Sequence, residues 1–332
     1  MNKKLIGAVL ILGAVIAIGL GVMLSFKTKE LKAHLQQTLN EKFESFTQGS
    51  DLISSWESFS CSGFTSVSCY SPKIVVGDEY TKFIFKNVGF DVDSVDESSL
   101  RASFNIKEIK MEVELDEANY EQEKENLVLF SRFLPHKTKC DILLKRNEDK
   151  LSESLQCAIN ADNATYTLQV DDIYQYEDFK TQNIAQILES FYSNIFVEEE
   201  DFSTLDKYKY ALNNLLFKVK ENGFSKDIYK YYELQSKEQG GSASEEGFTQ
   251  YASNVNMIIT IALGLVMGDA YSDGIMSLSN AAQSFILGQN KEFGFTFKLK
   301  DGKQEEFIPL GEFSQDPFLF LAENFTFEAL SK

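Results

Sequence analysis

Residues 138–160 read TKCDILLKRNEDKLSESLQCAIN, and this stretch decides the fold. Apolar and polar residues alternate on both sides of Glu148-Asp149, the pattern of two half-buried β-strands. Closing a two-residue turn at Glu148-Asp149 sets Asn147 opposite Lys150. In that register Cys140 falls directly opposite Cys157, and Ile142 opposite Leu155 on the same face. Directly opposed residues of an antiparallel pair have Cα atoms roughly 4.5–5.5 Å apart, within reach of a disulfide.

The two remaining cysteines, Cys61 and Cys69, enclose the short loop CSGFTSVSC, with Gly63 available for a tight turn. They are expected to form a second bridge. Zinc is the competing reading, but its usual C-x₂₋₄-C spacing is absent; free buried thiols are the remaining alternative. Disulfides persist in oxidising compartments, so this pairing places the chain outside the cytoplasm, in the periplasm of a Gram-negative cell.

Working outward from the hairpin, residues 54–170 keep period two. Phe83 and Phe85, then Val88, Phe90 and Val92, mark one strand. Phe104 and Ile106 lie on one parity and Ile109, Met111, Val113 and Leu115 on the other, which predicts a bulge near Lys107. Long antiparallel strands in a meander follow from this. The period then changes. Ile184, Ile187, Leu188, Phe191 and Ile195 predict an amphipathic helix, and Leu205, Tyr208, Leu212, Leu215, Leu216 and Val219 a second, closed by Gly223. A third helix is expected over Ile228–Leu234, and SKEQGGSASEEG reads as an exposed loop.

Residues 255–268, VNMIITIALGLVMG, are the most apolar run after the N-terminal segment, and about 12 apolar residues is short for a membrane span. The segment is expected to be a fully buried helix. The sharper reading is a helix lining an apolar ligand site or touching lipid, with Ile258, Ile259, Leu263 and Val266 as the lining side chains. Ile275, Leu278, Ala282, Phe285 and Ile286 predict a further helix. At the end, FGFTFKLKDGKQEEFIPL predicts a hairpin turning at Asp301-Gly302, with Phe295 opposite Ile308 and Phe293 opposite Leu310. Residues 318–330 are expected to add a last strand.

At the other end of the chain, residues 5–26, LIGAVLILGAVIAIGLGVMLSF, contain no charge. At about 1.5 Å per residue a helix of this length crosses a hydrocarbon layer roughly 30 Å thick. The apolar stretch exceeds that of a cleaved signal peptide, so an uncleaved signal anchor is expected. Lysines flank it on both sides, and the positive-inside rule is close to a tie; the cysteines decide the orientation. Gly13, Ala17 and Gly21 share one helix face, a spacing that lets two membrane helices approach and self-associate. Leu31, Leu35, Leu39 and Phe43 then predict an amphipathic juxtamembrane helix within residues 27–50.

The formal net charge is −18. The first 32 residues carry five Lys against one Glu, a net of +4, which leaves −22 for the rest. Such a surface is repelled by phosphate backbones, which excludes nucleic acid as a partner. Neither His34 nor His136 has a ligand-like partner at helical spacing, and no P-loop, G-x-G-x-x-G or G-x-S-x-G pattern occurs. Asp91, Asp93, Asp96 and Glu97 form one acidic cluster and residues 198–201 another. Neither fits an EF-hand, so solvated surface is favoured over calcium. Asn163-Ala-Thr165 and Asn324-Phe-Thr326 match the glycosylation sequon.

The opening MNKKLIGAVLILGAVIAIGLG, followed by FKTKELKAHLQQTLNEKF, resembles the start of bacterial YdgA-type envelope proteins, often grouped with AsmA-like proteins. The resemblance covers about 45 residues and the general order of elements. It implies an N-terminal anchor, an amphipathic helix and a β-rich periplasmic body, and it carries over no functional residues.

The expected architecture is therefore α+β: an anchor (1–26), a juxtamembrane helix (27–50), a β-rich part (51–180), a helical part (181–290), and a C-terminal hairpin and strand (291–332) completing the same domain. The expected function is non-enzymatic, without cofactor or metal. It is a single-pass inner-membrane protein whose periplasmic domain binds lipid, another apolar ligand or an envelope protein. The alternative is an extracytoplasmic sensor or scaffold that forms homodimers through its anchor. A hydrolase using carboxylates has the least support.

Overall fold

The computed structural model describes residues 31–48, 53–63, 66–78, 80–114, 120–184, 186–188, 206–300, 303, 306–315 and 317–332. Twelve strands form one antiparallel sheet. They are β1 (Ile53–Trp56), β2 (Ser60–Ser62), β3 (Val67–Gly77), β4 (Thr81–Val95), β5 (Ser99–Val113), β6 (Lys137–Asn147), β7 (Lys150–Asn160), β8 (Ala164–Gln175), β9 (Lys209–Glu221), β10 (Glu292–Leu299), β11 (Ile308–Pro309) and β12 (Phe325–Ser331). From β3 to β10 each strand pairs with the next in sequence, and β12 closes the order beside β10. β1 and β2 share the outer edge of β3, and β11 pairs with β9.

The β6–β7 hairpin has the register expected from its sequence. Asn147 faces Lys150, Ile142 faces Leu155 and Cys140 faces Cys157. Glu148 occupies the left-handed region at the turn (φ 55°). Cys140–Cys157 and Cys61–Cys69 are both disulfides.

Both bridges belong to one lateral row. Cys61, Cys69, Phe90, Phe104, Cys140, Cys157, Leu168, Phe217, Phe295 and Ala329 lie side by side across ten strands. This row lies on the apolar face, which the helices cover. The opposite face is polar. There Asp171 accepts hydrogen bonds from Ser154, Gln169 and Asn214, and Asp91 accepts from Tyr70 and Asn105. One face packed and one solvated is the usual state of an antiparallel sheet, and it is why the strands read with period two.

The parity change near Lys107 is present, but it is not a bulge between β4 and β5. Lys86 faces Glu108 and Val88 faces Ile106, so the register passes through unchanged. β3 and β4 change parity at the same level, with Ser71 facing Val88 and Lys73 facing Lys86. Three strands thus switch facing together at Pro72, Asn87 and Lys107, and Asn87 takes up the turn with φ 50°. The register shift between β4 and β5 lies elsewhere, between Val92 and Ser94.

Helices accompany the sheet: α1 (Leu31–Gln48), α2 (Tyr120–Ser131), α3 (Phe224–Glu238), α4 (Glu245–Met267), α5 (Ser272–Ile286), α6 (Leu310–Gln315) and α7 (Pro317–Asn324). Residues 184 and 186–188 are helical as well, within the amphipathic helix expected there, and bury Ile184, Ile187 and Leu188. α1 lies at one end of the apolar face. Its buried Leu39 and Phe43 meet Phe59 and Trp56, and Phe59 stacks on Phe90. α5 lies at the other end, with Ile275, Leu278, Ala282, Phe285 and Ile286 all buried, as their spacing predicts. Burying a side chain of this size contributes roughly 1.5–3 kcal/mol. Side chains also bond backbone groups near both ends of the sheet. Asn40 accepts from the Phe59 N–H and donates to its carbonyl, and Gln36 accepts from the Cys61 N–H. At β12, the Tyr271 hydroxyl donates to the Phe325 carbonyl.

Several expectations are corrected. Residues 209–221 form β9, so a strand lies inside the part expected to be helical. Gly223 ends no helix; it precedes α3 with φ 112°. α2 interrupts the β-rich part. Phe293 and Phe295 pair with Val219 and Phe217 of β9 and with Ser331 and Ala329 of β12, not with Leu310 and Ile308. The C-terminal strand pair is β10–β12, and Ile308 pairs instead with Tyr210. Residues 317–324 are helical before β12 begins. The anchor at 5–26, with Gly13, Ala17 and Gly21, and the Asp301-Gly302 turn lie outside the described residues.

Candidate functional site: the exposed apolar helix and an inward acid pair

α4 begins at Ser244, whose hydroxyl accepts from the Gly247 N–H, with Glu245 and Glu246 in the first turn. Acceptors and negative charge both suit a helix N-terminus. It ends at Gly268, whose φ of 68° suits glycine. Between them, residues 247–268 carry no charge.

Ser253, Asn256 and Thr260 of this helix face α5, while Thr249, Gln250 and Asn254 near its start are exposed. Asn256 donates to Gln283 (2.9 Å), Gln283 donates to Ser253 (2.9 Å), and Thr260 shares a hydrogen bond with the buried Ser279 (2.7 Å). The apolar side chains face outward: Met257, Ile258, Ile261, Leu265 and Val266 are 54–83% exposed. Met257, Ile261 and Leu265 follow one another at i+4 and form a stripe. The expectation of a fully buried helix is therefore corrected. Phe248, Ala252 and Met267 are its buried residues.

Of the four expected ligand-lining side chains, Ile258 and Val266 are exposed, while Ile259 and Leu263 are half-buried. Leu263 packs against the cluster of Tyr271, Ile275 and Phe297. α4 is long and apolar enough to cross a membrane. The polar seam nevertheless ties it along α5, and a spanning helix would draw Asn280, Gln283 and Asp273 into hydrocarbon or break that seam.

A second feature escaped sequence reading. Glu153 of β7 and Asp172 of β8 are a directly opposed pair on the apolar face. Asp172 is 6% exposed. Its Oδ2 accepts from the Tyr174 hydroxyl at 3.4 Å, and its Oδ1 has no partner. Burial, then the charge of Glu153, pushes the Asp172 carboxyl up to about 8. Burial also raises Glu153. Tyr210 is raised by burial and by Asp172. The signal was present in the sequence: Glu153 continues the inward parity of Leu151, Leu155 and Cys157, and Asp172 that of Leu168, Val170 and Tyr174.

The acidic cluster at 91–97 is used by the fold. Asp96 accepts from the backbone and hydroxyls of Ser98 and Ser99, which hold its carboxyl down to about 2. Residues 198–201 lie outside the described residues. Among those described, no three His, Cys, Asp or Glu side chains are grouped to hold a metal. His136 contacts Asp162 at 3.3 Å on the surface, and His34 lies on α1. Both sequon asparagines are buried. Asn163 donates to Asp227, and Asn324 donates to the Phe320 carbonyl and accepts from Lys303. Neither amide is open to a glycan in the folded domain.

The chain matches no family model and no curated protein.

Proposed function

We propose that this chain is a membrane-anchored, non-enzymatic protein of the bacterial inner membrane whose periplasmic domain takes up lipid. The observation that carries the reading is the outward apolar stripe of α4, on a helix whose Ser253, Asn256 and Thr260 side chains turn inward. A soluble surface helix has the reverse arrangement. A contiguous apolar patch of this kind marks an interaction site. The uncharged stretch 5–26 supports a tether, and the two disulfides support an oxidising compartment. The likeness of the first 45 or so residues to YdgA-type proteins agrees with both. Five aliphatic or thioether side chains over about 15 Å of helix make a patch smaller than the roughly 800 Å² per partner of a standard protein interface, which favours lipid over an envelope protein. The alternative, a sensor or scaffold self-associating through Gly13, Ala17 and Gly21, draws on no described residue.

Mass spectrometry of lipids retained by the full-length protein after gentle extraction tests the reading. Wild type is expected to retain lipid above the level of a Leu265→Asp variant. Equal retention by the two, or none by wild type, rejects it.

A further inference from the structure

Three core clusters involve the apolar face of the sheet, and two of them meet near its middle, with Tyr174 and Leu310 packed against both. One surrounds Phe90, Phe104 and Cys140; the other surrounds Tyr210, Phe297 and Phe325. Leu155 packs against the first, and Val170 and Leu215 against the second, all three half-buried. These three are consecutive partners in one row across β7, β8 and β9, so the row forms a seam between the clusters. Glu153 and Asp172 occupy the next row, at the end of that seam.

A carboxyl pair in an apolar setting, here with Asp172 buried and Glu153 half-buried, normally has a cation or several donors. Here Tyr174 and Tyr210 reach Asp172, and Asp172 Oδ1 is left without a donor. Among the described residues no Lys or Arg pairs with either acid. Arg146 shares the face on β6, but its Nη1 donates to the Phe179 and Lys180 carbonyls and its Nε has no partner. Asp171 points to the opposite face. Leu310 and Phe313, packed over Tyr210, bring no charge. A divalent ion asks for six or more oxygens; two carboxylates and two phenols reach six only if both carboxylates bind through both oxygens, and such an ion makes no use of the adjoining aliphatic row. A primary ammonium has three donors, which match two carboxylates, and the adjoining row is aliphatic.

We propose that the Glu153–Asp172 pair is the polar end of a site for a primary ammonium group carried on an alkyl chain, the chain lying along Leu155, Val170 and Leu215. The proposal rests on the lipid-binding reading and names a ligand class for it. Binding pairs the cation with the ionised form of the acids, so the Asp172 carboxyl gives up its proton to solvent as the ammonium enters. Affinity therefore rises with pH from about 6 towards 8.

The test uses full-length protein and octylammonium, with octanol, octanoate and calcium chloride as comparison probes. Calorimetric titration at pH 7 in two buffers of different ionisation enthalpy reads both affinity and proton release. Octylammonium is expected to raise the melting temperature and to release close to one proton per site. Glu153→Gln and Asp172→Asn are expected to weaken it at least tenfold while melting cooperatively. Octanol stabilising as much as octylammonium, an unchanged affinity in Asp172→Asn, or a response to calcium alone would overturn the assignment. Leu265→Asp, remote on α4, is expected to keep the octylammonium response. Loss of lipid retention with that response intact separates a failure at α4 from a failure here.

Discussion

Cys69 and Cys140 lie in the same lateral row of the sheet, with only Phe90 and Phe104 between them. The two disulfides therefore bracket the buried Phe90 and Phe104. Each bridge joins neighbouring strands already paired by backbone hydrogen bonds, so neither creates the topology. Their contribution lies mainly in restricting the unfolded chain.

The two bridges close loops of sequence separation 8 and 17. Loop-closure entropy gives about 2.5 kcal/mol for the shorter and about 3 kcal/mol for the longer. Replacing Cys61 and Cys69 together by Ala, or Cys140 and Cys157 together, is expected to lower stability by these amounts. Denaturant melts of each double variant read the loss. Non-reducing peptide mapping of protein from native membranes is expected to recover both pairs; four free thiols there would remove the support for a periplasmic domain.

Asp172 sets a pH dependence whose sign is fixed. Its folded carboxyl titrates near 8, against about 4 in the unfolded chain. Between these values the native state holds the extra proton, so stability falls as pH rises from about 4 to about 8 and levels off above. Glu153 is shifted in the same direction and adds to the slope. Asp172→Asn is expected to flatten the descent and to be more stable than wild type at pH 8, by on the order of 1–3 kcal/mol. Melting temperatures across pH 5–9 check it; a stability that climbs over that range in wild type contradicts the placement of this pair.

The α4 stripe separates function from stability. Leu265 is 83% exposed, and surface changes away from buried features usually shift stability by less than about 0.5 kcal/mol. Leu265→Asp is expected to melt like wild type while losing lipid. Phe285→Asp, at a fully buried position on α5, is expected to abolish the cooperative melt, because it buries an unpaired carboxylate.

Asn40 closes the β2 edge with two hydrogen bonds to Phe59, of 2.7 and 3.1 Å. Asn40→Ala removes both partners of the Phe59 backbone and leaves Gln36 as the remaining cap of this edge, which is destabilising and invites pairing between chains. A loss of about 1–3 kcal/mol and a greater tendency to aggregate are expected, read by denaturant melts and light scattering. Asn40→Asp is expected to keep the bond from the Phe59 N–H and to recover part of the loss.

The sequence by itself determined the β6–β7 hairpin, because a two-residue turn and strict alternation leave one register that keeps Ile142, Leu155 and both cysteines on one face. It likewise determined α5, whose buried residues repeat with the helical period over a single uninterrupted element. The tertiary structure decided β9. Tyr208, Leu212, Leu215 and Val219 are spaced four, three and four apart, which reads as a helix. In the structure Tyr208 precedes β9, and Leu212, Leu215 and Val219 share the apolar face of that strand, because the register shifts between Asp171 and Asp172 and leaves Asn213 as an extra residue that changes the parity. A bulged strand and an amphipathic helix thus write nearly the same local pattern, and only the flanking β8 and β10 separate them. The same holds for β10, whose apolar residues suit residues 308–310 locally but find longer partners in β9 and β12. The outward stripe of α4 and the opposition of Glu153 to Asp172 were also decided by tertiary structure. A side chain's neighbours depend on which strand or helix is packed beside it, and local alternation carries no record of that choice.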